Sequence, residues 1–146
     1  MKKVGIFKKG EMCLDEILEE IRKNPQIKNA GAIGAFIGIV RGTSPKGEKV
    51  KFLEYETYRN VAIKQLERIR GELIEKYKLV DLMFYHVAGC VEVGEDILYL
   101  VAAAEHRKEV FAALQEAMDR LKKEVAIWKK EVTDKGAYWV SEKKRK

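Results

Sequence analysis

The sequence predicts a single α+β domain with a mainly antiparallel sheet. Three observations support this: amphipathic helical segments are interspersed with short apolar runs rich in β-branched residues, turn signals separate those runs, and no linker or repeat divides the chain. A chain of 146 residues is typical of one domain with one core. The predicted order of elements is α-β-β-α-β-β-β-α, with residues 1–146 forming one domain.

The first predicted helix covers residues 14–24. Its apolar side chains recur at helical spacing, acidic residues occupy its first turn, and Pro25 ends it. Residues 31–41 then form an apolar run containing glycines, which predicts a buried strand ending at Arg41. A loop at 42–49 leads to a strand at 50–58, and apolar positions three or four apart predict a second helix over 60–78.

The last third of the chain contains three predicted short strands and one long helix. The strands cover residues 80–87, 90–93 and 97–104, and a turn of three residues joins the last two. The helix begins near His106, and its apolar stripe continues to Trp128. Residues 133–136 then have the composition of a turn.

The overall charge is basic. The formal net charge of +6 favours an anionic partner or substrate. No apolar run approaches the roughly 20 residues of a membrane span, and the first residues lack the apolar region of a signal peptide, so a cytoplasmic location without membrane association is expected. Cys13 and Cys90 have no Cys or His at ligand spacing and are predicted to be buried free thiols; His86 is interpreted as structural.

Basic charge also raises the alternative of a nucleic-acid-binding module. The basic residues are mixed with acidic ones along the helices, and the chain has no RNP-like aromatic signature, helix-turn-helix pattern or zinc spacing. We therefore expect no nucleic-acid partner and no bound metal.

The candidate functional side chains are cationic, and they occupy a strand end and the last predicted helix: Arg41, His106, Arg107, Lys122 and Lys129. The two lysines are seven residues apart, nearly two helical turns, and would share a side if the helix were unbroken through Trp128. A helix N-terminus adds N–H donors beside the His-Arg pair, so one anion-binding pocket could collect all five groups. Like charge and desolvation there would lower the pKa of a lysine, which would suit a general base.

Each of these groups also has an ordinary structural interpretation. Helical lysines that alternate with Glu124 and Glu131 are usually solvated, and a histidine after a strand is often a hydrogen-bonded cap. Arg41 could simply pair with Glu54 or Glu56. Composition and spacing alone leave both interpretations open.

Four short motifs in a fixed order are more specific. They are Phe-Ile-Gly-Ile-Val-Arg at 36–41, Leu-Glu-Tyr-Glu at 53–56, His-Arg at 106–107, and Leu-Lys with Trp-Lys-Lys-Glu between 121 and 131. Over almost the whole chain, their order and spacing resemble the large, catalytic subunit of molybdopterin synthase. The resemblance implies a hammerhead-type fold and an enzyme. That enzyme transfers sulfur from the Gly-Gly thiocarboxylate of a small ubiquitin-like carrier to cyclic pyranopterin monophosphate, forming the molybdopterin dithiolene in molybdenum cofactor biosynthesis.

The resemblance also implies an assembly and residue roles. The expected assembly is a homodimer with one carrier at each end, a heterotetramer without its own cofactor. Lys122 resembles the lysine beside the carrier's terminal glycine, and Lys129 resembles a second essential lysine. The precursor's phosphate and pterin would be held by Arg41, His106 and Arg107, and Lys143 would reach across the dimer. A non-catalytic scaffold for the carrier is the remaining alternative, but it would need neither lysine.

Overall fold

The structure is a computed structural model, and it describes residues 1–140. This part of the chain contains seven strands, three α-helices and a 3₁₀ turn at Ile27–Asn29. In chain order the elements are β1 Val4–Lys8, α1 Leu14–Arg22, β2 Ala32–Ile39, β3 Val50–Thr57, α2 Arg59–Tyr77, β4 Asp81–Glu92, β5 Asp96–Ala104, α3 Arg107–Glu124, β6 Ile127–Thr133 and β7 Gly136–Val140. The predicted α+β class is confirmed, whereas β1, β6 and β7 were not predicted.

Strand β4 is shared by two groups of strands. Its first half pairs antiparallel with β5 and parallel with β1, and β5 continues to β2. Its second half pairs with β3, which continues to β6 and β7. We call the first group the β2-side sheet and the second the β7-side sheet. Every strand pair in the described chain except β1–β4 is antiparallel, as predicted.

The prediction of separate strands at 80–87 and 90–93 was wrong. β4 continues through both, and Gly89, with a φ of +93°, lies between the parts that pair with each sheet. Glycine adopts this conformation without the steric cost that other residues incur. The glycine that resembled a strand break in the sequence is therefore a bend within one strand.

The last helix ends earlier than predicted. α3 stops at Glu124, Val125 has extended dihedral angles, and β6 begins at Ile127. The apolar spacing of Val125 and Trp128 fits a helix, but β-branched and aromatic residues also suit a strand. Pairing with β3, in which Ile127 lies opposite Thr57, decides the outcome.

Strand β2 is not buried, contrary to the prediction. Within residues 1–140 it pairs only with β5, and Phe36, Ile37 and Ile39 are 41%, 38% and 57% exposed. Its glycine at position 34 lies so close to α3 that an added Cβ would approach the Val110 side chain to 2.4 Å. One face of β2 is therefore packed against α3, while its outer edge remains open.

The helices cover the β2-side sheet and enclose the core. α3 packs on β2 and β5, α2 packs on β1 and β4 and against α3, and α1 packs on β4 and β5. Among residues 1–140, no helix is long and apolar enough to cross a membrane, and no cluster of His, Cys, Asp and Glu could hold a metal ion. Both cysteines are free but exposed, so the prediction of buried thiols was wrong.

Candidate active site

A cleft of about 190 Å³ opens beside the C-terminal end of α3, where the two sheets meet. Its floor and walls come from six strands and α3, and most of its lining is apolar. The charged side chains among its described lining residues are Lys122 and Lys129. Two amines in a largely apolar cleft form a site suited to an anionic group.

The two lysines reach the cleft from different elements. Lys122 lies in the last turn of α3, where the helix dipole stabilises a positive charge, and Lys129 is on β6. On β6, Lys129 lies directly opposite Tyr55 of β3 and Val140 of β7. Directly opposite residues share a face of a sheet, and all three line the cleft.

The route that brings the two lysines to one cleft differs from the predicted one. They do not share one helix, because α3 ends between them. The chain instead turns at Val125 and Ala126 into β6, which pairs with β3 and carries Lys129 back to the cleft. Both amines line one cleft because of strand pairing, not helical periodicity.

Arg41 belongs to a groove that adjoins the lysine cleft. The groove has a volume of about 580 Å³ and shares Ile97, Lys129 and Val140 with the cleft. Arg41 donates a hydrogen bond from Nε to the Thr43 carbonyl oxygen at 2.8 Å. Three cations therefore line one continuous depression, and Glu131 in the groove adds one negative charge.

His106 and Arg107 lie at the opposite end of α3. Arg107 begins the helix, 15 residues before Lys122, which corresponds to about 22 Å along the helix axis. The His106 Nε2 atom lies 3.9 Å from Oε1 of Glu105, and both side chains are well exposed. A single chain therefore does not gather all five predicted groups into one pocket. The sixth, Lys143, lies outside the described residues.

Comparisons with known proteins show the family to which the chain belongs. The family model described as MoaE protein matches residues 7–124. The chain belongs to the MoaE family. It is 41% identical over 138 residues to the molybdopterin synthase catalytic subunit of Pyrococcus abyssi, covering 94% of this chain and 90% of that protein. It is 35% identical over 124 residues to the subunit of the same name from Bacillus subtilis, covering 85% and 78%.

Solved structures show the same fold. The crystal structure of molybdopterin synthase from Staphylococcus aureus superposes with a TM-score of 0.84 at 32% identity, covering 97% of this chain and 98% of that one. A chain in the complex of subunits 1 and 2 of molybdopterin-converting factor from Helicobacter pylori has a TM-score of 0.74 at 20% identity, covering 95% and 90%. At that identity, the second likeness shows the fold alone. The fold expected from the resemblance is confirmed.

In this MoaE-family chain, two cleft residues were missed as functional candidates. His86 and Tyr55 both line the cleft, and they are only 3% and 8% exposed. His86 has no ligand partner at a suitable spacing in the sequence, and that absence favoured a structural interpretation. The signal that could have identified it is a polar side chain in an otherwise apolar buried strand, from Leu82 to Val87.

Proposed function

We propose that this chain is the catalytic subunit of a molybdopterin synthase that acts in the cytoplasm without its own metal or organic cofactor. Its reaction would transfer sulfur from a carrier thiocarboxylate to cyclic pyranopterin monophosphate. The observation that carries the proposal is the largely apolar cleft that both Lys122 and Lys129 line, beside the Arg41 groove, in a chain 41% identical to a named catalytic subunit.

The chemistry of sulfur transfer suits this arrangement. In each transfer, the thiocarboxylate sulfur forms a bond to a carbon of the precursor while a carbon–oxygen bond at that carbon breaks, and the departing oxygen stays on the phosphate or takes up protons and leaves as water. Water then cleaves the acyl–sulfur bond, which leaves a carboxylate on the carrier and a thiolate on the product. Both the thiocarboxylate and the precursor's phosphate are anionic, so cations must bring them together against their mutual repulsion. We assign the phosphate to Arg41, and proton transfer and charge stabilisation at the reacting atoms to Lys122 and Lys129.

The partner in this proposal is a small ubiquitin-like carrier that ends in Gly-Gly. A cleft of about 190 Å³ with largely apolar walls suits the narrow Gly-Gly tail of the carrier, which has no side chains. The two amines would lie beside the sulfur of the carrier's thiocarboxylate. The Helicobacter pylori complex supports the pairing, because it joins a chain of this fold to a second subunit.

We further propose that His106 and Arg107 serve the cleft of a second copy. The Gly31 N–H donates to the Ala104 carbonyl oxygen at 2.9 Å, which places the start of β2 beside the His-Arg pair. The other end of β2 lies at the lysine cleft and Arg41. If two β2 edges pair antiparallel about a two-fold axis, the start of each strand meets the end of the other.

The dimensions support this homodimer. The eight residues of β2 span about 26 Å, close to the separation of about 22 Å between Arg107 and Lys122 along α3. Pairing would also cover the exposed apolar side chains of β2, since an open apolar edge is otherwise a site of aggregation. With one carrier at each lysine cleft, the assembly would be a heterotetramer.

The proposal is tested by reconstitution. Purified protein is mixed with a thiocarboxylated carrier and cyclic pyranopterin monophosphate, and molybdopterin formation is measured for the wild type, Lys122→Ala and Lys123→Ala. We expect Lys122→Ala to lose about a hundredfold or more in turnover, because positioning and charge stabilisation are lost together. Lys123 is the matched control, since it is an exposed lysine of the same helical turn that does not line the cleft.

The affinity for the carrier, measured by calorimetry, should be retained in both variants. No turnover by folded wild type with a cognate carrier would refute the proposed activity. Equal losses in Lys122→Ala and Lys123→Ala would refute the residue assignment.

A further inference from the structure

Apart from tyrosines, four polar residues of the described chain are buried: Ser44, Asp81, His86 and Thr133. His86 is the member of this set that lines the lysine cleft. It lies on β4 three residues before the bend at Gly89, at the boundary between the two sheets. A buried imidazole at such a boundary can contact residues of both sheets.

The imidazole is held in one orientation from two sides. Its Nδ1 atom lies 2.7 Å from the Val87 carbonyl oxygen. Because a carbonyl oxygen only accepts, Nδ1 carries the proton and donates this hydrogen bond. The ring also meets the Tyr55 ring edge-on, with centroids 4.8 Å apart and an interplanar angle of 71°. Such aromatic pairs contribute stability and prefer a defined geometry.

This ring contact connects the elements that carry the two amines. His86 pairs with Leu98 of β5 in the β2-side sheet, on which α3 and Lys122 are packed. Tyr55 belongs to the β7-side sheet and lies directly opposite Lys129. The contact between the two rings therefore adds a side-chain link at the cleft to the backbone pairing of Tyr55 with Gly89, between the strands that support Lys122 and those that carry Lys129.

We propose that His86 is a positioning residue for sulfur transfer, acting through Tyr55 to hold the Lys129 amine at a fixed distance from Lys122. This inference rests on the proposed function of the cleft. The other titratable or charged groups in the described lining are Tyr55 from β3, Lys122 from α3 and Lys129 from β6; β2, β5 and β7 contribute apolar residues and glycine. The imidazole is thus placed to order the cleft's polar groups.

The kinetic test compares His86→Ala, which removes the ring, with His86→Phe, which keeps an aromatic ring against Tyr55. We expect His86→Ala to lower kcat about tenfold or more while the KM for the carrier changes by less than about twofold, because misplacement of catalytic groups by about 1 Å is costly. The conservative His86→Phe variant should restore most of kcat. Asp81→Asn, a change of a buried polar residue elsewhere on β4, controls for lost stability.

A second measurement does not depend on turnover. Spin labels are attached through cysteines at positions 123 and 130, next to the two lysines, in a chain lacking Cys13 and Cys90. Electron paramagnetic resonance then gives the distribution of distances between α3 and β6. We expect this distribution to broaden in His86→Ala and to stay narrow in His86→Phe and Asp81→Asn.

Two results would overturn the inference: an unchanged distance distribution in His86→Ala, or a His86→Phe variant as impaired in kcat as His86→Ala. The second would mean that the ring nitrogens, not the ring contact, matter. If the wild type had no turnover at all, the proposed function would fail, whereas the distance measurement would still decide whether His86 holds the two sheets together.

Discussion

Asp81 is the most heavily bonded buried charge in the described chain. Its carboxylate accepts hydrogen bonds from Lys3 at 2.8 Å, Arg70 at 2.9 Å, Asn24 at 3.0 Å and the Leu82 N–H at 2.8 Å. Burial by itself would raise the pKa of Asp81, but these four donors outweigh burial and hold the pKa below its ordinary value. The group joins the residue before β1, the helix α2 and the segment after α1 to the start of β4.

We predict that Asp81→Asn costs roughly 3 kcal/mol of unfolding free energy near neutral pH, since the change leaves two cations without their buried partner. A carboxylate with a lowered pKa in the folded state stabilises fully above its unfolded pKa of about 3.9, and this contribution is lost as the pH falls through the folded pKa. The difference between wild type and Asp81→Asn should therefore shrink on acidification. Denaturant unfolding measured from pH 7 down to pH 3 tests this.

Asp134→Asn is the control for this measurement. Asp134 lies in the exposed turn between β6 and β7, and its removal should change stability little at any pH. A difference between wild type and Asp81→Asn that stayed constant over the whole pH range would contradict the role assigned to the Asp81 carboxylate.

At the scale of elements, two glycines have opposite roles. Gly71 lies in the middle of α2, and a Cβ added there would meet no atom within 4 Å. Gly34 lies on β2 under α3, where an added Cβ would approach the Val110 Cγ1 atom to 2.4 Å and the Leu114 Cδ1 atom to 3.2 Å. The first glycine only weakens a helix, whereas the second permits close packing of a helix on a strand.

The same substitution should therefore have opposite effects at the two positions. Gly71→Ala is expected to raise the unfolding free energy by about 0.5–1 kcal/mol, because alanine restricts the unfolded chain and favours the helix. Gly34→Ala is expected to lower it by about 1–3 kcal/mol, because the added methyl overpacks the interface. Thermal or urea unfolding of both variants checks the pair. A stabilising Gly34→Ala would show that α3 is free to move away from β2.

At the scale of the whole molecule, the proposed site residues are divided between the two ends of α3. Lys122 and Arg107 are about 22 Å apart along the helix. A division of this kind would make activity depend on assembly, because each cleft in the proposed homodimer would combine the lysines of one copy with the His-Arg pair of the other. The open edge of β2 is the surface through which each copy would supply its His-Arg pair to the cleft of the other.

Subunit complementation tests this arrangement. Lys122→Ala and Arg107→Ala are each expected to be nearly inactive as homodimers. After subunit exchange in an equal mixture, half of the dimers are mixed, and each of these has one cleft with both changes and one with neither. Molybdopterin formation should then recover to about a quarter of the wild-type value, as expected for a two-fold dimer with shared sites. If both groups served the cleft of their own chain, mixing would restore nothing.

Much of this protein follows from local sequence. Helices α1 and α2 and the start of α3 match their predicted positions closely, because apolar spacing and end signals act within a few turns. The α+β class follows from the mixture of helical and strand patterns. The four motifs by themselves indicate the MoaE family, and they include both cleft lysines and Arg41.

Only the tertiary structure decided how those elements and motif residues are arranged relative to one another. Pairing with β3 ended α3 before Trp128 and brought Lys129 opposite Tyr55. The bend at Gly89 let one strand join two sheets and placed His86 at their boundary. Pairing and burial depend on residues distant in sequence. When the local preferences of a segment suit both helix and strand, its tertiary contacts determine which of the two forms. The sequence therefore determined which side chains were available, and long-range pairing determined which of them form the cleft.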